Sequence, residues 1–117
     1  MARKISGGKY KKARKRKLFE YPRAPRYVKL GEERKKTIRE RGGRLQTILI
    51  SCNKANVFDK KTKKAKVVKI KAVLQIPSNR YLKDLLLKGA LIETEAGKAK
   101  ITNSPGQEGS IQAVLVQ

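Results

Sequence analysis

ALIETEAGKAKIT, residues 90–102, carries its own pairing test. With Ala96-Gly97 as the loop of a hairpin, Glu95 faces Lys98 and Glu93 faces Lys100 on one side, while Thr94 meets Ala99 and Ile92 meets Ile101 on the other. Opposite charges then lie outside and aliphatics inside, each pair contributing about 0.2–1 kcal/mol, whereas a one-residue slip scrambles both faces. Ala-Gly is not a favoured two-residue loop, so a bulged turn fits the same pattern. The segment makes the body of the chain a β structure.

The same period continues upstream. From Val67 to Ile76, Val68, Ile70, Ala72, Leu74 and Ile76 point one way and Lys69, Lys71 and Gln75 the other, as in a strand with one wet face. From Leu45, the residues Ile48, Ile50 and Cys52 share one face and Thr47, Leu49 and Ser51 the opposite one. A short strand over residues 55–58 and a polar hairpin tip, DKKTKK at residues 59–64, connect the two. Pro77, Ser78 and Asn79 stop the long strand and offer a helix N-cap, and RYLKDLLLKG then places Tyr81, Leu82, Leu85 and Leu86 at helical spacing with Gly89 as the C-terminal cap. Downstream, SPGQEG at 104–109 suits a type II turn with Pro105 and Gly106 at its centre, and SIQAVLVQ closes the body with Ile111, Ala113 and Leu115 inward. GEERKKTIRERGGR, residues 31–44, has helical propensity, yet Ile38 is its only large apolar residue and no stripe exists to dock a helix, so a basic strand ending at Gly42-Gly43 is preferred. These readings predict six or seven short strands and one short helix over residues 34–117, a mostly β fold: a small barrel or strongly curved sheet.

In front of this body the composition changes. Residues 1–17 hold nine Lys or Arg and no acid, and between Ser6 and Lys17 the only apolar side chains are Tyr10 and Ala13. Nothing there offsets the cost of ordering a backbone, about 1–2 kcal/mol per residue, so the arm is expected to be disordered alone and to take shape against a polyanion. Residues 18–30, LFEYPRAPRYVKL, interleave aromatics and prolines with Arg23, Arg26 and Lys29 and predict an extended connector without a helix. The expected division is a basic extension over residues 1–30 and a barrel domain over residues 31–117. Residues 1–44 carry 18 bases against 4 acids and residues 45–117 carry 13 against 5, within a total of +22. Such a charge selects partners rather than a fold: nucleic acid first, anionic membrane a distant second.

Other chemistries lack their residues. The single Cys52 excludes an internal disulfide, and without any His the usual zinc spacings cannot be built; Cys52 reads as a small apolar residue on the inward face of a strand. No nucleophile–base pair or free carboxylate pair suggests catalysis. No metal, cofactor or small-molecule substrate is expected. No run approaches the ~20 apolar residues of a membrane span, and no apolar segment follows the basic start as in a signal peptide, so a soluble, cytosolic, unprocessed chain is expected. Gly7-Gly8-Lys9 lacks the strand and the Ser or Thr of a P-loop, and Gly106–Gly109 lacks the helices around a KH loop.

The candidate RNA contacts are therefore cations, glycines and aromatics. In the arm they are Arg3, Lys4, Lys9, Lys11, Lys12, Arg14, Lys15, Arg16 and Lys17, with Gly7 and Gly8 permitting close approach of the main chain and Tyr10 able to stack. Arg23 and Arg26 extend the set along the connector. Arg41, Gly42, Gly43 and Arg44 form a second contact, a glycine turn displaying two guanidiniums, while Lys61 and Lys63 sit in a loop that reads equally well as merely solvated.

Five pieces in order, Gly7-Gly8 in the basic arm, Arg41-Gly42-Gly43, Lys88-Gly89-Ala90-Leu91-Ile92-Glu93-Thr94, Gly97-Lys98-Ala99 and Pro105-Gly106-Gln107-Glu108-Gly109, make a chain that resembles the archaeal and eukaryotic type of the eighth small-subunit ribosomal protein family. That family is unrelated to the bacterial protein bearing the same number. The resemblance spans nearly the whole chain, with Arg44 standing where the family commonly has Asn and Ile76 where a polar residue usually precedes the proline. It implies a compact β-barrel with a basic extension, bound to small-subunit ribosomal RNA beside neighbouring ribosomal proteins in the cytoplasm. It also implies RNA contacts at the arm and the Arg-Gly-Gly turn, and architectural roles for the Lys-Gly and Pro-Gly-Gln pieces. The rival readings are a histone-like DNA-compacting protein and a free RNA chaperone.

Overall fold

The computed structural model describes residues 2–11, 13–22, 24–77 and 84–116. Its strands run β1 (Lys29–Leu30), β2 (Arg34–Arg39), β3 (Leu45–Cys52), β4 (Lys54–Asp59), β5 (Lys64–Gln75), β6 (Leu91–Thr94), β7 (Gly97–Ile101) and β8 (Gln112–Leu115), with one helical turn, α1 (Pro105–Glu108). β4 to β8 close into a barrel, β8 returning to β4 in parallel through Asn56 opposite Gln112, and β1, β3 and β2 make a three-stranded sheet in that order. Closure removes the open edges that an isolated sheet would present. The mostly β barrel is what the periodicity predicts, and residue 34 onward contains seven of the described strands.

The core is aliphatic and gathers both sheets. Val28, Leu49, Cys52, Ala55, Val57, Ile70, Leu86, Ala90, Ile92, Ala99, Ile101, Ile111 and Ala113 form one buried cluster. Cys52 is thus a free, buried thiol on an inward strand face. Residues 34–39 are indeed a strand, paired antiparallel with β3, and Asp59 opposite Lys64 makes residues 60–63 the β4–β5 tip.

Several local expectations change. The β6–β7 hairpin pairs Thr94 with Gly97, Glu93 with Lys98 and Ile92 with Ala99, so the loop is Glu95-Ala96 and the register is two residues from the one expected. A slip of two leaves every side chain on its face, so the alternation cannot detect it. Turn chemistry decides: the Thr94 hydroxyl donates to the Gly97 carbonyl at 2.7 Å, and Gly97 takes φ +121°. On β3, the pairing jumps from Ser51 to Leu49 opposite Arg34 and Lys35, leaving Ile50 as a bulge. Leu49 and Cys52 therefore both point inward and Ile50 is exposed, against the simple alternation. Two such irregularities on β5, at Lys71 and Leu74, likewise turn Val73 toward the core and leave Leu74 exposed.

The helix expected after Pro77 is not formed in its described part. Asp84 has φ +58°, Leu85 bridges to Lys29, and the Leu86 amide donates to the Val28 carbonyl at 2.8 Å. Leu85 and Leu86 are buried as expected, but strand-like pairing with the connector satisfies their backbone. Tyr81 and Leu82 lie outside the described residues. Among the described residues the one α-helical turn stands where a type II turn was expected: the Ser104 carbonyl accepts from the Gln107 and Glu108 amides at 3.0 and 3.1 Å. A type II turn needs positive φ at Gly106, but the left-handed residue is Gly109, φ +73°, which caps α1. The connector is also not wholly extended, since Leu18–Glu20 form a 3-10 turn.

Candidate nucleic-acid interface

The molecule measures 69 × 35 × 25 Å with a radius of gyration of 20.5 Å. A compact chain of this length would have about 13 Å, so the arm projects well clear of the body. Every described residue from 2 to 17 is exposed.

Within the arm, short backbone contacts arrange the cations. Arg3 bridges antiparallel to Lys9, the Lys4 amide donates to the Gly8 carbonyl at 3.0 Å, and the Gly7 amide donates to the Lys4 carbonyl at 2.8 Å. Gly7 makes this turn at φ +77°, a conformation that a side chain would strain. The Lys4 ammonium stands 5.8 Å from the Tyr10 ring centre. Further along, Glu20 ties the 3-10 turn down. Its carboxylate accepts from both terminal nitrogens of Arg14 and from the Lys17 amide at 2.9 Å, and the Arg14 hydrogen bonds, with the amide behind them, lower its pKa below the usual carboxylate range. Phe19 and Tyr21 stay exposed beside this turn, with the Lys17 ammonium 5.9 Å from the Phe19 ring centre.

A second cationic body is the β2–β3 hairpin. Its tip, Arg41–Gly43, closes through the Glu40 amide donating to the Arg44 carbonyl at 2.7 Å, with Gly42 and Gly43 both at φ +80°. Arg41 and Arg44 are exposed on it. β2 is an edge strand of its sheet, and Arg34, Lys35, Lys36 and Arg39 along it are exposed. Sequence reasoning omitted these four from the candidate contacts, although the RKK run preceding the glycine pair carried the signal once residues 34–39 are read as a strand. Lys35 pairs with Glu33 at 2.6 Å, an exposed contact that raises the Lys35 pKa and lowers that of Glu33. Arg14–Glu20 and Lys35–Glu33 are the two ion pairs among the described residues. Most described cations therefore face solvent with no carboxylate engaged.

The fold brings the connector turn and the hairpin tip together at one place. Leu18, Phe19, Tyr21 and Pro22 of the connector face Glu40 and Arg41 of the hairpin tip across a cleft of about 930 Å³. Arg26 is held deeper: with Tyr27, Glu40, Gln46, Lys88 and Gln107 it lines a neighbouring cleft of about 730 Å³, and its backbone carbonyl lies against Gly106. Lys61 and Lys63 are apart from both. Their loop is shaped by Asp59, which accepts from the Lys61 amide at 2.9 Å and from the Thr62 hydroxyl at 2.8 Å, and Lys61 stands near Lys100 and Val114 on the barrel. Lys12 and Arg23 lie outside the described residues. Among the described residues no three His, Cys, Asp or Glu side chains gather to hold a metal, and no helix is long and apolar enough to cross a membrane. What this surface can do chemically is neutralise phosphates and stack on bases.

Residues 1–116 match the family model described as ribosomal protein S8e. The chain is 45% identical over 117 residues to the small ribosomal subunit protein eS8 of Methanocorpusculum labreanum, covering 98% of this chain and 94% of that one. It is 42% identical to the eS8 of Nanoarchaeum equitans, over 98% and 92% of the two chains, and 40% identical to that of Sulfolobus acidocaldarius, over 99% and 93%.

Proposed function

We propose, on the premise that this chain belongs to the ribosomal protein S8e family and is a structural, non-enzymatic component of the cytoplasmic small ribosomal subunit, that it binds ribosomal RNA through two cationic bodies, the N-terminal arm and the β2–β3 hairpin. The arm, whose described residues bury nothing in the barrel, lies along phosphates and joins RNA elements that the barrel alone is too small to reach. The barrel docks and aims it, with other ribosomal proteins as neighbours. The observation that carries this reading is the run of exposed cations on a projecting arm, continued by the exposed cations of β2. An acid-poor extension with no core of its own suits a polyanionic partner.

The test is the salt dependence of binding to small-subunit RNA. Each phosphate contact contributes about 0.7–0.9 to the slope of log K against log salt. Deleting residues 2–17 removes nine cations and is expected to weaken binding and flatten the slope by several such increments. An unchanged slope would remove the arm from the interface. Equal affinity for duplex DNA of the same length would favour DNA compaction instead.

A further inference from the structure

The cleft between the connector turn and the hairpin tip is more specific than a cationic surface needs to be. We propose that it is the slot for an unpaired guanine of the bound RNA, an inference that rests on the RNA-binding reading above. Its size falls in the range of about 300–1,000 Å³ typical of small-ligand sites, ample for one nucleotide. On one wall Phe19 and Tyr21 are 66% and 55% exposed, two aromatic residues left largely uncovered by the protein itself. Stacking on such faces suits any base that has left its helix.

Both walls are held in advance. Glu20 braces the turn beneath Phe19 through Arg14 and the Lys17 amide, and Pro22 restricts the backbone beside Tyr21. Opposite, the two left-handed glycines set the position of Arg41. Arg41 lines the cleft and the Lys17 ammonium stands 5.9 Å from the Phe19 ring centre, so the flanking phosphates of an entering base meet positive charge and the site favours a nucleotide over an apolar peptide.

Glu40 decides which base. Among the described residues it is the one carboxylate lining the cleft, and it takes part in neither of their two ion pairs. An ionised carboxylate only accepts hydrogen bonds, and beside phosphates it is repulsive unless donors meet it. Guanine offers two adjacent donors, N1–H and the N2 amino group, on its Watson–Crick edge, matching the two carboxylate oxygens in a forked pair. Adenine, cytosine and uracil do not present that pair of donors. In a duplex the edge is occupied, so the guanine must be unpaired.

Four RNA hairpins, identical except for a single-nucleotide bulge of G, A or U or no bulge, test this at fixed salt. The expected order places the G bulge tightest, at least about fivefold above the bulge-free hairpin, the low end of what one stacked base contributes. Phe19→Leu with Tyr21→Leu should erase the advantage of the bulge without altering the salt slope. Glu40→Gln should keep that advantage but level G with A. Equal binding of bulged and bulge-free RNA by the unmodified protein overturns the slot while leaving arm-driven binding intact, and equal G and U bulges overturn the guanine assignment. Absence of any salt-dependent RNA binding overturns the underlying reading itself.

Discussion

At Gly106 the connector lies against α1. A Cβ there would stand 2.8 Å from the Arg26 carbonyl oxygen and 3.4 Å from the Arg26 Cβ. In the first turn of α1, alanine would gain up to about 1 kcal/mol in helix propensity, but forcing backbone apart costs about 1–3 kcal/mol. The collision should win. Gly106→Ala is expected to lower stability by roughly 1–2 kcal/mol, measured by denaturant unfolding; a stabilised variant would mean that the connector yields freely. The Pro-Gly pair was legible as a turn, but not the contact, because Arg26 is far away in sequence. Asp59 supplies a second residue-scale expectation. The Lys61 amide, then the Thr62 hydroxyl, hold its carboxyl below the ordinary aspartate range. A lowered pKa means that this support is present above the unfolded value and disappears as pH falls through the folded one. The Asp59 carboxyl carbon and the Lys61 amide should therefore titrate together in NMR, below the aspartate range; titration at the ordinary value would deny the cap.

Among the elements, the β2–β3 hairpin carries the most consequence. Its tip has consecutive residues at φ +80°, where a side chain costs about 1–3 kcal/mol each and a β-branched one more. Substituting Gly42 and Gly43 by Val keeps every charge. The pair should lower the melting temperature and weaken RNA affinity together, and a variant unchanged in both would show that the turn is not needed to aim Arg41 and Arg44. Residues 31–44 were legible as a strand because their neighbour is one and no apolar stripe supports a helix. The inward turn of Leu49 was not, since a bulge at Ile50 depends on how β2 docks. Helical spacing misled at Leu85 and Leu86, whose backbone pairs with residues 28 and 29. Two leucines side by side satisfy either geometry, and the partner strand lies outside the local window.

On the scale of the whole molecule, arm and barrel differ in what holds them. Val28 is 1% exposed and joins the core, while the described residues of 2–17 bury nothing. Deleting residues 2–17 should leave the cooperative thermal transition in place, read by circular dichroism. Loss of that transition would make the arm part of the folding unit. The charged arm, the Arg-Gly-Gly tip and the β character of the body were all readable from the chain, since charge density, glycine and alternation are local properties. The meeting of Phe19 and Tyr21 with Glu40 and Arg41 was not.

From its sequence alone this protein was determined to be a strand-built body with a polycationic extension, because faces, turns and charge are set by residues within a few positions of one another. The tertiary structure decided the hairpin registers, the bulges, the fate of the leucine segment and the cleft between connector and tip. Those depend on which distant backbone groups find each other, and several pairings satisfy the same local pattern until closure of the barrel selects one.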